Sequence, residues 1–319
     1  MRETQRLSPP NRSAPAPGWC GWRVLPGGDT ASARVLAEIL DGGQAFRWQR
    51  EAPDAWLGLW EDSIARVRHG ARGRLEWSAP EALAERVART LPAYLATDCD
   101  FAGLADALPW RSDPHLARCR EEFRGLRILR QPFGETLLGF LCSATKQIVQ
   151  IKQMLAWLAE RHGTALAPGF HRLPTWTELA GLAEAELRQC RLGFRARFIA
   201  DTARFLASHS GWLEETAQLP YGTAKARLCE LPGVGEKIAD CVLLFGAGRF
   251  EAFPVDTWIL KALARHYGLA GWRPEQVAHF GRVHFGPGAG LAQQFLFAWE
   301  RASRRRASPG QAGAERAAR

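Results

Sequence analysis

The chain has 319 residues, with 42 lysines and arginines against 33 aspartates and glutamates, a net charge of +9 and a pI near 9.6. This excess favours a polyanionic partner, and with no run of 18 apolar residues the sequence offers no helix to span a membrane. Seven scattered cysteines, none after Cys241, fit free thiols in a reducing intracellular compartment and leave no C-terminal four-cysteine iron–sulfur set. The eight histidines show no metal-ligand spacing, so neither a metal nor a cofactor is expected.

In chain order, residues 1–20 read as a disordered tail, because Met1–Gly18 is rich in Pro, Ser and Arg and lacks the apolar stretch of a signal peptide. Residues 21–110 read as an antiparallel sheet domain. Its strand-like runs are Gln44–Trp48, Trp56–Glu61, Ile64–Arg68 and Arg74–Ser78, separated by Gly- and Asp-containing turns. Helical signals begin near Pro80 and dominate from Pro114, which makes residues 111–303 the helical region of an α+β protein. Lys146–Arg161 carries an apolar stripe of Ile148, Ile151, Leu155 and Leu158, and Thr175 to Glu178 is a capping box. A final helix over Gly290–Ser303 precedes a charged tail, 304–319, that has no core-forming pattern. Most of the thirteen tryptophans are expected in the core.

The most informative stretch is Leu231-Pro-Gly-Val-Gly-Glu-Lys237, set between two predicted helices, Thr223–Glu230 and Glu236–Gly246. Gly233 and Gly235 in such a hairpin expose backbone N–H groups and a helix N-terminus, a phosphate clamp indifferent to base sequence. Only five of the 42 basic residues are lysines, Lys146, Lys152, Lys225, Lys237 and Lys261. Lysine can shed its proton and form a Schiff base, whereas arginine cannot. Lys237 at the clamp, with Asp256 nineteen residues beyond it, therefore places an amine nucleophile and a carboxylate beside a DNA-binding hairpin. Two plainer readings stay open: Lys237 as a phosphate contact in a non-catalytic hairpin, and Asp256 as the N-cap of a helix over Thr257–His266.

Taken in order, several motifs resemble the 8-oxoguanine DNA glycosylase/lyase family of the helix-hairpin-helix-GPD superfamily, from about Trp22 to Ser303. They are Gly42-Gly-Gln-Ala-Phe-Arg-Trp48, Leu129-Arg-Gln-Pro-Phe133, Phe140-Leu-Cys-Ser143, Leu192-Gly-Phe-Arg-Ala-Arg197, the hairpin itself, Pro254-Val-Asp256, and the run from Ala289 to Phe297. The resemblance implies damaged double-stranded DNA as partner and a monomeric enzyme, in the nucleoid of a bacterium or the nucleus of a eukaryote. It implies that Lys237 displaces the damaged base at C1′ and that Asp256 stabilises the sugar's developing positive charge. It also implies that Cys241 and Phe297 sandwich the flipped base, Gln293 reads its pairing edge, and the Gly43 carbonyl accepts the N7–H that guanine lacks. Phe194 would wedge into the vacated stack and Arg195 would address the orphan partner. Without the resemblance, Cys241 and Phe297 read as ordinary core.

The chain departs from the family on the orphan side. Thr145-Lys146-Gln147 replaces an asparagine run, Gln150 stands where an arginine is expected, and Trp258 replaces a histidine that could meet a phosphate. Thr145, Gln150 and Arg195 are thus the expected orphan-base contacts, with partner reading weakened and Arg195 carrying most of what remains. Three rivals are an alkylpurine glycosylase, which needs no Lys237, an endonuclease III-like pyrimidine glycosylase, most of which carry the missing cysteines, and a non-enzymatic DNA-binding hairpin.

Overall fold

The structure is a computed structural model that describes residues 18–29, 32–70 and 73–307; most of the expected N-terminal tail, and residues 308–319, lie outside them. An antiparallel sheet holds β1 (Arg23–Asp29), β2 (Trp48–Ala52), β3 (Ala55–Trp60), β4 (Ser63–His69) and β5 (Arg74–Ser78), in the order β1-β5-β4-β3-β2. Between β1 and β2 lies α1 (Ala33–Asp41). The tight β3–β4 hairpin, pairing Trp60 with Ser63 across Glu61 and Asp62, follows the predicted turn. The edge strand β1 was not legible because Pro26, Gly27 and Gly28 read as breakers; an edge strand tolerates a proline that a central one does not.

Gln44–Trp48 is not a strand: residues 42–47 bend, and β2 begins at Trp48. Gly43 has φ +107, and the Gln44 side chain and carbonyl bond elsewhere than to a neighbouring strand. The alternation was real, but its polar members hold a loop.

Helices then dominate: α2 (Ala84–Tyr94), α3 (Phe101–Ala107), α4 (Pro114–Glu122), α5 (Phe133–Leu141) and α6 (Ile148–His162). After a two-stranded ribbon, β6 (Ala165–Ala167) and β7 (Phe170–His171), come α7 (Trp176–Ala180), α8 (Glu184–Gln189), α9 (Arg195–Ser208) and α10 (Trp212–Gln218). The series closes with α11 (Tyr221–Leu228), α12 (Glu236–Ala247), α13 (Thr257–Tyr267), α14 (Pro274–Phe285) and α15 (Ala289–Ala307). Thr175 caps α7 as its sequence predicts. The last helix runs past Ser303 to Ala307, so the start of the expected tail is helical.

One apolar core runs through both regions, from Cys20 to Ala298. At its centre α12 is buried from Ile238 to Phe245 and packs on α5, with the Phe140 and Phe245 rings stacked at 5.5 Å. This fixes the mouth of α12, where Lys237 sits, against rigid structure.

The tryptophans serve the core in two ways, some fully buried and others, Trp110, Trp157, Trp176 and Trp299, half-buried against it. Only Trp48, Trp56, Trp60, Trp77 and Trp212 are buried. Six of the others, Trp19, Trp22, Trp110, Trp157, Trp258 and Trp299, carry an arginine guanidinium over the ring. Buried Trp56, Trp77 and Trp212 carry a guanidinium as well, so in this arginine-rich chain one indole packs against the protein and meets a cation on its free face.

Candidate active site

The hairpin forms as predicted, with boundaries shifted by two residues or fewer. Gly233 is required twice over: its φ is +79, and a Cβ there would lie 2.5 Å from the Phe198 ring. Gly235 is the N-cap of α12, and a Cβ there would meet nothing within 4 Å, so the backbone faces open space. Lys225 and the Tyr221 hydroxyl, from α11, donate to the buried Asp240 of α12 at 3.2 and 2.7 Å. These bonds join the two arms of the hairpin.

Lys237, at the second position of α12, is half-buried. Its Nζ donates to Ser143 Oγ at 3.4 Å and lies 5.1 Å from the centre of the Phe140 ring. Cys241, one turn further along, is buried, and burial pushes its thiol up to about 12, with Lys237 opposing the rise. It is therefore a neutral, polarisable surface at physiological pH, not a thiolate.

Asp256 is the N-cap of α13: Oδ1 accepts from the Trp258 and Ile259 N–H groups, each at 2.9 Å. Burial raises its pKa above the ordinary aspartate range, opposed by the Ile259 N–H bond and then by the Lys237 charge. Cap and charged partner coexist because the cap occupies only one carboxylate oxygen.

Opposite lies α15. Phe297 presents a partly exposed ring, edge-to-face with Trp258 at 6.4 Å. A Cβ on Gly43 would come within 3.2 Å of Ile148 Cδ1 and 3.6 Å of Phe297 Cε1. Gly43 is thus the one residue type that leaves room beside Phe297 while holding its positive φ. Gln293 is buried; its Nε2 donates to the Pro254 carbonyl at 3.0 Å, and its Oε1 accepts from Gln294 Nε2 at 2.6 Å. The network fixes the amide so that its oxygen keeps one lone pair for a further donor.

The orphan side is arranged differently. Phe194 is 52% exposed at the start of α9, edge-to-face with Phe198, which also packs beneath Gly233. Arg195 is only 2% exposed. Its guanidinium donates to the Leu192 carbonyl at 3.2 Å, to the Ala144 carbonyl, and to Thr145 Oγ1 at 3.0 Å. Thr145 has φ +55, a strained backbone for a β-branched residue. Gln147 is the N-cap of α6, and Gln150, at the third helical position, accepts from the Gln147 N–H at 3.2 Å through its amide oxygen. All three sit at one corner, but Arg195 faces inward.

This geometry has close relatives among known proteins. Residues 30–137 match the 8-oxoguanine DNA glycosylase N-terminal domain, and residues 138–284 match the HhH-GPD superfamily of base excision DNA repair proteins. The fold superposes on the Clostridium acetobutylicum 8-oxoguanine glycosylase/lyase, in complex with double-stranded DNA containing cytosine opposite 8-oxoguanine. The TM-score is 0.77 at 30% identity, covering 84% of this chain and 92% of that one. The chain belongs to the 8-oxoguanine DNA glycosylase family. The N-glycosylase/DNA lyase OGG1 of Arabidopsis thaliana is 34% identical over 203 residues, 59% of this chain and 55% of the relative, so the match spans little over half of that protein. The Saccharomyces cerevisiae N-glycosylase/DNA lyase is 29% identical over 264 residues, 75% of this chain and 70% of the relative.

Several residues that hold the site together were not singled out as site residues from the sequence. Gln44 anchors the Gly43 loop, donating to the Arg127 carbonyl and accepting from the Leu129 N–H, both at 3.0 Å, while Gln131 donates to the Gln44 carbonyl at 2.7 Å. Ser143, Gln294 and Phe198 position Lys237, Gln293 and the hairpin in turn. All of these but Phe198 fell inside the quoted motifs, yet a motif shows that a residue belongs there and not which neighbour it bonds.

Proposed function

We propose that this protein is a monomeric DNA glycosylase/lyase that removes 8-oxoguanine from damaged duplex DNA through a Schiff base on Lys237. The observation that carries the reading is the placement of Lys237: it is the second residue of α12, at the mouth of the hairpin, its Nζ donates to Ser143 Oγ at 3.4 Å, and the buried Cys241 follows one turn later. In this reading the amine at the hairpin mouth works with the Asp256 carboxylate that caps α13. Family membership supports the same reaction.

In this scheme the damaged base leaves the stack and enters between Cys241 and Phe297. Asp256, ionised, stabilises the positive charge that grows on the sugar as the C1′–N9 bond breaks. Lys237 Nζ bonds to C1′, and the base departs with the electron pair of the broken bond and takes up a proton. Ring opening gives the Schiff base, and loss of a C2′ proton expels the 3′ phosphate, cutting the strand. Gln293 Oε1 accepts from the base's pairing edge, and the Gly43 carbonyl accepts the N7–H. That last bond distinguishes 8-oxoguanine from guanine, because only the lesion has a donor to offer.

The test is a panel of duplexes carrying 8-oxoguanine, a methylpurine or an oxidised pyrimidine, each incubated with the protein and borohydride. Trapping on the 8-oxoguanine duplex alone is the expected result. Excision of methylpurine without trapping, or trapping on the pyrimidine only, would replace this reading with one of its rivals.

A further inference from the structure

Near the end of α15, Arg301, Arg304 and Arg306 differ in their surroundings. Arg301 is engaged by Glu38 at 2.8 Å and by the Asp41 carbonyl at 3.3 Å. Arg306 is engaged by Glu122 at 2.7 Å. Arg304 is exposed, pairs with no carboxylate among the described residues, and lies 4.4 Å over the Trp258 ring. Trp258 is two residues past Asp256; its N–H donates to the Asp256 carboxylate, and its ring meets Phe297. Arg304 is seven residues beyond Phe297, hence on the same face of the helix. The α15 helix therefore reaches the site twice, first with a ring and then with a cation.

We propose that Arg304, laid on Trp258, binds the backbone phosphate next to the nucleotide whose sugar sits at Asp256. The inference rests on the reading of Asp256 given above. A sugar held at that carboxylate carries its own phosphates within one linkage, and Trp258 is the adjacent surface. A guanidinium held over an indole face by its Cζ uses none of its N–H donors on the ring, so they stay available to the planar, bidentate recognition of a phosphate. The neighbouring arginines cannot serve as readily, because carboxylates already hold them. Asp256 must also keep its negative charge among the phosphates of bound DNA, and a fixed cation between the two relieves that repulsion. The tryptophan that displaces a possible histidine contact thus acts as the platform for another cation.

The test measures binding of the full chain to a duplex containing a tetrahydrofuran abasic analogue, across a salt series. Arg304→Gln should weaken binding by about fivefold to tenfold near 0.1 M salt and flatten the slope of log K against log salt by about one. Arg304→Lys should recover the slope but only part of the affinity, since it keeps the charge and loses the plane. Neutral methylphosphonate linkages placed singly along the lesion strand then locate the contact. Beside the lesion, the substitution should cost the wild type what Arg304→Gln costs, and should cost Arg304→Gln nothing further. Equal binding by Arg304→Gln and wild type overturns the proposal, as do losses that add at every linkage flanking the lesion. Borohydride trapping of the wild type on an 8-oxoguanine duplex runs alongside. An Arg304-dependent slope without trapping would keep this contact and discard the proposed chemistry.

Discussion

The two sides of the candidate site treat their polar groups in opposite ways. On the lesion side, Asp256, Gln293 and the Gly43 loop are each held by neighbours that leave one acceptor unused. On the orphan side, Arg195 and Thr145 bond to each other, and the Gln150 oxygen accepts from the N-cap N–H of its own helix. A motif match places a backbone position; the neighbours decide where the side chain points. The lesion side thus keeps acceptors free, as the proposed base pocket requires, while the orphan side spends its polar groups on holding itself together.

The sharpest way to break the comparison is at Lys237. Lys237→Gln should abolish borohydride trapping and strand cleavage and leave DNA affinity within a few-fold, because the hairpin glycines and the other cations remain. Trapping at the wild-type level would move the nucleophile elsewhere. Next in size, Asp256→Asn should slow single-turnover excision by about 100-fold to 1,000-fold, the usual cost of removing a charge-stabilising group. The melting temperature should change little, since asparagine caps a helix about as well as aspartate. A loss of activity no greater than the loss of stability would reduce Asp256 to a cap.

The raised pKa of Asp256 also has a sign that can be measured. The working form is the carboxylate, so excision should fall on the acid side at a pH above the ordinary aspartate value of about 3.9 and recover as pH rises. In stability the same shift runs the other way. The folded state holds the proton more tightly than the unfolded chain, so ionised Asp256 costs stability above its folded pKa, and that cost disappears below the ordinary value. Asp256→Asn should remove this contribution from a pH series of melting curves. An acid limb at the unperturbed value in wild-type rates would contradict it.

A smaller effect is expected at Gly43. Alanine there must adopt φ +107 and push a methyl toward Ile148 and Phe297. We expect a cost of about 1–3 kcal/mol in stability and a fall in 8-oxoguanine excision larger than that cost explains. Melting and single-turnover rates measured together check this. An unchanged rate would show that the Gly43 carbonyl does not meet the base.

How much of this was legible depended on whether the determinant was local. The hairpin, α12, the β3–β4 turn and the Thr175 cap follow from residues within a few positions of one another, and each appears where the sequence places it. Lys237 and Asp256 stood out as candidates because a lysine is conspicuous in an arginine-rich chain and an aspartate follows the hairpin at the start of a helix. What escaped is set by distant partners: Gln44 bonding to residues 127–131 turned a predicted strand into a loop, and the arginines that lie over so many indoles come from elsewhere in the chain. Helix α15 outran its predicted end because Arg301, Arg304 and Arg306 find Glu38, Trp258 and Glu122, none of which is near them in sequence.

The subtlest prediction concerns the base opposite the lesion. Each good bidentate contact to a base discriminates by about 1–3 kcal/mol. With Thr145 and Gln150 in place of the family's residues, excision opposite cytosine should exceed excision opposite the other bases by well under a thousandfold. Arg195 was expected to carry what preference remains, but its geometry argues for a different part. It ties the Ala144 carbonyl and Thr145 to α9, and Ser143, next along the chain, accepts from Lys237. Losing a buried charged donor of this kind costs enough to slow a reaction about tenfold or more. If Arg195 braces that loop, Arg195→Ala slows excision opposite all four bases by a similar factor, and the preference ratio holds. If it leaves the loop to bind the orphan base, the loss falls mainly opposite cytosine and the ratio collapses. From its burial we expect the first pattern, and single-turnover rates against the four partners, in wild type and variant, decide between them.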